Sequence, residues 1–368
     1  MPRDFIVGER TRLQAIGLMS GTSMDGVDAA LIETDGTAIH ALGPTHEIPY
    51  SEAFRNRLRD IVGRVPDDSP DFRDLVRDLT LYNAEAVHQL LRAAELGADD
   101  IDVIGFHGQT VFHDPANGIT CQIGDGDLLT SETGVTVVDD FRSADVAAGG
   151  EGAPFAPVYH VALSCDVERP VVFLNLGGVA NVTWISPDGG AIAFDTGPAS
   201  ALIDDWVRAH ADESYDRDGR LARAGSADEV RLGQLLDDPY FTAPVPKSLD
   251  RDAFSLTPVE GLSVEDGAAT LTAFTAETVS LAQAHFPAKP LRWLVCGGGR
   301  HNPALMAALR SVLGSPVEPV ESVGWNGDVL EAQAFAYLAV RSLYGMPLSY
   351  PQTTGVRQPT TGGVVHRS

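Results

Sequence analysis

The chain has 368 residues, 44% hydrophobic and 21% charged, a composition that suits two or three packed domains and excludes a disordered chain. Its formal net charge of −25 repels nucleic acid and anionic membranes, so neither is expected as a partner. No apolar run approaches the roughly 18 residues that a membrane span needs, and the charged residues 1–9 lack the apolar stretch of a secretory signal, so a cytoplasmic location is expected.

In chain order, the apolar runs 13–19 and 27–32 flank the turn residues 20–26 and predict two strands joined by a polar loop. A further strand is expected over 38–48. Helical periodicity follows over 54–62 and 72–96, where Leu75, Leu79, Tyr82, Ala86 and Leu90 recur on one face. Short strands at 103–106, 120–123 and 135–138, a short helix at 127–132 and a helix at 154–163 complete the first half. A second strand cluster runs 171–176, turns at Gly177-Gly178, resumes over 179–185 and returns over 191–194. Helices are expected at 199–211, 227–236, 267–285, 303–313 and 329–343, with a strand at 293–296 that ends on Gly297-Gly298-Gly299. The polar tail 352–368 reads as loop or frayed end. Strand–turn–strand–strand plus helices thus occurs twice, which predicts two α/β lobes with mixed sheets around a central cleft. The lobes are expected at 1–152, joined by the helix 329–343, and at 153–328.

Several strings carry candidate chemistry. Gly21, Thr22, Ser23, Met24, Asp25, Gly26, Val27 and Asp28 can aim backbone N–H groups at an anion, with hydroxyls for phosphate oxygens. Asp25 or Asp28 can hold a hydrated magnesium ion. The same residues also suit an ordinary hairpin turn. No G-x-x-x-x-G-K-[ST] string occurs, which argues against a P-loop fold. His107 and Gln109 at a strand end can read hydroxyls, although a lone histidine is as often structural. Arg142 can take a carboxylate or phosphate bidentately, or pair with a neighbouring aspartate. Gly177 and Gly178 sit in the second cluster where the first loop sits in its own. Asp195, at an expected strand end before a helix, suits a general base or a helix cap. Gly297, Gly298, Gly299 and Asn302 allow close approach of a nucleoside, and Glu331 opens the last long helix. The three cysteines, Cys121, Cys165 and Cys296, are too scattered for a disulfide framework or a zinc site and read as plain buried thiols.

Together these strings resemble the anhydro-N-acetylmuramic acid kinase family. They are GTSMDGVD (21–28), HGQT (107–110), DFR with the following AAGGEGAP (139–154), LNLGGVANV (174–182), FDTGP (194–198), DRDG (216–219), PKS (246–248), CGGGRHN (296–302) and EAQAFAYLA (331–339). The resemblance implies the fold of the actin, hexokinase and chaperone ATPase superfamily, with two ribonuclease-H-like lobes. It implies ATP and Mg2+ as cofactors, with ATP phosphates at 21–28 and Gly177-Gly178, and adenosine at Gly297–299 and Asn302. Asp195 matches the family's catalytic aspartate, and Glu331 matches a glutamate facing sugar or metal, beside His107, Gln109 and Arg142 as sugar-binding candidates. The implied reaction opens a 1,6-anhydro bridge with water and phosphorylates O6; the implied assembly is a homodimer. Glu151, Phe155-Ala156-Pro157, Ser200 and Gln333 depart from the family's commoner residues; none removes a proposed catalytic group, and Glu151 and Ser200 bear on sugar specificity. A kinase for levoglucosan, or a nucleotide-binding regulator without sugar chemistry, are the competing readings.

Overall fold

The structure is a computed structural model that describes residues 11–21, 24–64, 69–251 and 253–368. Its described strands are β1 (Leu13–Met19), β2 (Gly26–Thr34), β3 (Ile39–Pro49), β4 (Val103–Phe106), β5 (Gln109–Asp114), β6 (Ile119–Ile123), β7 (Val137–Asp139), β8 (Val171–Leu176), β9 (Val179–Ile185), β10 (Ala191–Pro198), β11 (Arg292–Cys296), β12 (Val317–Pro319) and β13 (Val364–His366). They fall into two compact units. One comprises the described residues up to Cys165 together with Val329–Ser368, and the other is Asp166–Asp328.

The first unit holds a six-stranded sheet in the order β13-β7-β4-β1-β2-β3. β1, β2 and β3 form an antiparallel meander, while β4 lies parallel to β1 and β7 parallel to β4. β1 and β4 are central and almost wholly buried, which is why they read as continuous apolar runs. β3 lies at the edge, is largely exposed and tolerates Pro44. Gly17 and Gly105 explain how a helix sits so closely on this sheet. A Cβ at Gly17 would strike the carbonyl of Ala332, and one at Gly105 the carbonyl of Phe335. Both carbonyls belong to the helix Leu330–Leu343, whose backbone therefore lies directly on β1 and β4. On the core side Ile16, Leu18, Ile104 and Phe106 pack with Leu75, Leu79, Ala86 and Leu90, so the predicted helix face is the buried one.

The second unit repeats the scheme. Its sheet runs β10-β9-β8-β11-β12, with β8, β9 and β10 antiparallel and with β11 and β12 parallel to β8 and to each other. Val172, Leu174, Phe194, Trp293 and Val295 pack against Ala276 and Val279 of the helix Val264–Ala282 and Leu305 and Leu309 of the helix Pro303–Val312. A meander of three antiparallel strands followed by two parallel ones is the ribonuclease-H-like order, present once in each unit. The doubled α/β pattern expected from the sequence is therefore the observed one.

Three expectations change. The tail is not frayed: Pro351–Thr354 is a helical turn, and β13 pairs antiparallel with β7. Three residues are too few for periodicity to reveal them, and the strand is held by its ladder and by His366. The 191–194 strand runs on to Pro198, because a bulge between Asp195 and Gly197 bends it without ending it. Only Cys296 of the three cysteines is buried; Cys165 is exposed, at the end of a helix where the core no longer covers it. Among the described residues no helix is long and apolar enough to cross a membrane.

Candidate active site

In the first unit, Gly21 opens the turn after β1 and Met24 closes it, with the Met24 N–H donating to the Gly21 carbonyl at 3.1 Å and Met24 in the left-handed region (φ 51°). Thr22 and Ser23 lie outside the described residues. Outward carbonyls of the turn are taken up: Arg55 Nε donates to Met24 O (2.9 Å) and the Tyr50 N–H to Asp25 O (2.8 Å). Asp25 is exposed at the turn. Gly26, Val27 and Asp28 already belong to β2. A Cβ at Gly26 would strike the carbonyl of Ile48, so glycine is required there. The Val27 side chain is wholly buried core and offers a ligand nothing but backbone, while Asp28 is half-buried opposite Met19. Among the described residues no three histidine, cysteine or carboxylate side chains gather as a metal cluster. Asp25 and Asp28 are the carboxylates of this segment, and a magnesium ion delivered with a polyphosphate would need only one or two, filling its shell with phosphate oxygens and water.

His107 directly follows β4 and Gln109 begins β5. His107 Nδ1 donates to the Gly108 carbonyl at 2.8 Å, which leaves Nε2 as an acceptor. Arg142 fills it, with Nη2 at 2.9 Å and Nε at 3.2 Å. Burial first, and the Arg142 charge second, hold the imidazole well below its usual pKa, so it stays neutral. Arg142 Nη1 donates to Gly152 O at 2.7 Å, and the guanidinium lies over the rings of Phe155 and Phe335. Burial pulls the Arg142 pKa down to about 10 against the opposing charges of Glu331 and Asp145. The structure thus joins His107 to Arg142 directly, and the guanidinium feels the charge of Glu331. Gln109 belongs to another network: its Oε1 accepts from Ser20 Oγ (2.7 Å), and its Nε2 donates to Gly21 O (3.3 Å).

Asp145 was legible only as a neighbour of Arg142. It is buried, with Oδ2 accepting the Gly152 N–H at 2.8 Å and Oδ1 accepting the hydroxyls of Ser349 and Thr354. It fixes the glycine-rich loop whose carbonyl orients Arg142. Ser349 and Thr354 lie more than two hundred residues further on, and no local pattern announces such a partner.

In the second unit, Asp195 sits inside β10 at the bulge, not at its end. It does not cap the following helix, Ser200–His210, whose cap residue is Ala199. The Asp195 N–H donates to Lys247 O (3.0 Å), and its carbonyl accepts from Tyr240 Oη (2.7 Å). The carboxylate accepts the Leu249 N–H at 2.8 Å. Burial pushes the Asp195 pKa up to about 7, outweighing the Leu249 N–H, which lowers it. One amide does not offset the desolvation. Lys247 donates to Tyr240 O at 2.6 Å and sits over the Tyr240 ring at 4.4 Å. That explains the PKS string as a strap holding Asp195, a role that sequence spacing could not reveal.

Gly177 and Gly178 form the β8–β9 turn, but their carbonyls accept the N–H groups of Ala199, Ser200 and Ala201. They serve as the backbone cap of the next helix. Gly297 (φ 74°) ends β11 so close to Asn175 and Leu176 that a side chain would clash, whereas a Cβ at Gly298 would meet nothing within 4 Å. Gly298 is therefore the open member of the three. Arg300, its side chain 2% exposed, bridges Gly297 O (3.0 Å), Glu321 (3.0 Å) and Asp328 (2.9 Å) and stiffens the turn. Asn302 spends its Oδ1 on the Ala304 and Leu305 N–H groups as an N-cap.

Each unit carries one ribonuclease-H-like sheet, with a polar turn after β1 in the first and an open glycine turn after β11 and the half-buried Asp195 in the second; the relatives that the chain matches make it a kinase. The family model described as anhydro-N-acetylmuramic acid kinase matches residues 13–368, and the chain belongs to that family. A protein of Paramagnetospirillum magneticum bearing that name is 55% identical over 355 residues, 96% of this chain and 99% of its own length. Its namesake in Rhizorhabdus wittichii is 53% identical over 363 residues, 97% of this chain and 100% of its own length. In Rhodospirillum rubrum the namesake is 55% identical over 351 residues, 95% of this chain and 93% of its own length.

Proposed function

We propose that this protein is an ATP-dependent kinase that opens 1,6-anhydro-N-acetylmuramic acid with water and phosphorylates the freed O6, giving N-acetylmuramic acid 6-phosphate and ADP. Family membership over nearly the whole chain supports the substrate class. The observation that carries the chemistry is the half-buried Asp195 carboxyl, fixed by the Leu249 N–H at 2.8 Å and pushed by desolvation up to a pKa of about 7. Such a group is ionised in part at neutral pH and takes a proton more readily than an ordinary carboxylate.

Asp195 Oδ removes a proton from water as the water oxygen bonds to the anomeric carbon. The C1–O6 bond breaks with its electron pair on O6, and O6 takes the γ-phosphoryl group as ADP leaves. The proton on Asp195 then returns to solvent. In the first unit the 21–28 turn holds phosphates, and Arg142 with Glu331 faces the sugar. In the second, the Gly298 turn admits the adenosine. A magnesium ion, where Asp25 or Asp28 holds it, neutralises phosphate charge and so favours transfer. The resemblance also supports a cytoplasmic location and a homodimer, the latter tested by sedimentation of the purified protein.

The test of the reaction is ADP release with 1,6-anhydro-N-acetylmuramic acid, ATP and Mg2+. Turnover to a 6-phosphosugar that collapses in Asp195→Asn is expected. Turnover with levoglucosan alone would move the substrate to a simpler anhydro-sugar. ATP binding without turnover of any anhydro-sugar would leave a regulator.

A further inference from the structure

We infer that the His107-Gly108-Gln109 turn does not meet ligands itself but is a two-armed positioning device: Gln109 sets the phosphate turn, and His107 sets Arg142. This rests on the function proposed above, which assigns phosphates to the 21–28 turn and the sugar to Arg142.

Hydrogen-bonding capacity carries the inference. Gln109, 1% exposed, accepts from Ser20 Oγ at 2.7 Å and donates to Gly21 O at 3.3 Å and Thr110 O at 3.4 Å. Ser20 in turn accepts from Tyr50 Oη at 2.9 Å. The chain Tyr50–Ser20–Gln109 is buried and ends on the first carbonyl of the phosphate turn; both amide donors of Gln109 are engaged, and its burial closes the remaining lone pair to a sugar hydroxyl. On the other arm, both His107 nitrogens are used, one by Gly108 O and one by Arg142. Its ring also packs on Phe335, with centroids 4.5 Å apart.

Arg142 shows what the second arm achieves. A guanidinium has five N–H donors in a fixed fork. His107 and Gly152 engage one on each of its three nitrogens. One N–H remains on each terminal nitrogen, already oriented, for an anionic group of the ligand. Gly108 makes the division possible. It sits at φ 69°, and a Cβ there would strike the carbonyl of Ile123. Only glycine can make this reversal, which sends adjacent side chains to separate partners.

The experiment measures KM for ATP and for 1,6-anhydro-N-acetylmuramic acid in four variants, with nucleotide affinity determined separately by calorimetry without sugar. Gln109→Leu is expected to weaken ATP about 10-fold and leave the sugar KM within about 2-fold, since one buried anchor is lost. His107→Leu is expected to do the reverse. His107→Gln, whose carbonyl can accept from Arg142, is expected to rescue most of the sugar KM. Gln109→Glu keeps the acceptor for Ser20 but loses the donor to Gly21, and is expected to resemble Gln109→Leu. If the leucine variants do not fold, Gln109→Glu carries the phosphate arm, and His107→Ala replaces His107→Leu as the partner of His107→Gln. The inference is overturned if both constants move together in each variant, or if His107→Gln is as damaged as His107→Leu. If the wild type does not turn over the sugar, the proposed function falls. Calorimetry then still decides the phosphate arm, which survives only if the Gln109 variants alone lose nucleotide affinity.

Discussion

The two units share one strand order but spend the turn after their first strand in different ways. In the first, the chain between β1 and β2 is a longer polar excursion, whose outward carbonyls are pinned by Arg55 and Tyr50. In the second, the β8–β9 turn is only Gly177-Gly178, and its carbonyls satisfy the first amides of the helix Ser200–His210. Both turns are glycine-rich, so they look alike in sequence. The backbone acceptors of the first turn go to side chains and to neighbouring loop amides, and those of the second go to a helix end. The second unit instead places its open glycine, Gly298, after β11 and its acid inside β10.

The largest effect that tests this division is at Asp195. Asp195→Asn should lower kcat by roughly 10^3-fold, within the usual range for a lost general base. It should also stabilise the fold above neutral pH. The folded pKa of about 7 lies above the ordinary value of 3.8, so the native state binds this proton more tightly than the unfolded chain. The stability from that proton is complete below pH 3.8 and is lost as pH rises towards 7. Thermal unfolding should therefore show the Asn variant gaining on the wild type between pH 5 and pH 8. For the wild type, kcat/KM should climb with pH to a plateau above about 7. A flat profile would remove Asp195 as the base.

Next in size is the helix seat of the first unit. Gly17→Val must displace the backbone of the helix Leu330–Leu343, at a cost of about 3 kcal/mol or more. Denaturant titration should show the loss. Gly298→Ala is the matched control in the other unit. Its added methyl meets open space, so stability should change by no more than about 0.5 kcal/mol, while KM for ATP rises. Equal stability losses in the two variants would remove the distinction between a packing glycine and a ligand-facing one.

The smallest effect concerns the strand that only the first sheet has. His366 of β13 bonds Asp127 and Asp139, and although burial lowers its pKa, those carboxylates raise it further than burial pulls it down. A histidine with a raised folded pKa stabilises fully at low pH and loses that contribution as pH rises through the folded value. Exchange of the β13 amides, corrected for intrinsic rate, should speed up on going from pH 6 to pH 8. His366→Asn should abolish that dependence.

Much of the scaffold was legible because buried central strands are continuous apolar runs ended by glycines. β1, β4, β8 and β9 begin and end where the sequence places them. Elements whose stability comes from distant partners were not. β12 and β13 have three residues each, and β10 looked finished at Phe194 because the bulge and Gly197-Pro198 read as a stop. The site divided in the same way. HGQT was visible as a motif, but Ser20 lies 89 residues from Gln109 and Arg142 lies 35 residues from His107, so the bonds that define their work belong to the tertiary fold.

The seat made by Gly17 and Gly105 has a consequence for the order of synthesis. The sheet that receives the helix Leu330–Leu343 is encoded almost entirely before residue 140, while the helix emerges from the ribosome some two hundred residues later. The second unit is continuous, Asp166–Asp328, and its last residue is translated before that helix begins. The half of the protein made earlier is thus the half completed later, with the apolar faces of β1 and β4 uncovered in the interval. Force-profile measurements on stalled nascent chains should record the second unit folding before the first, and a nascent chain halted at Asp328 should engage holding chaperones through the region around Gly17 and Gly105.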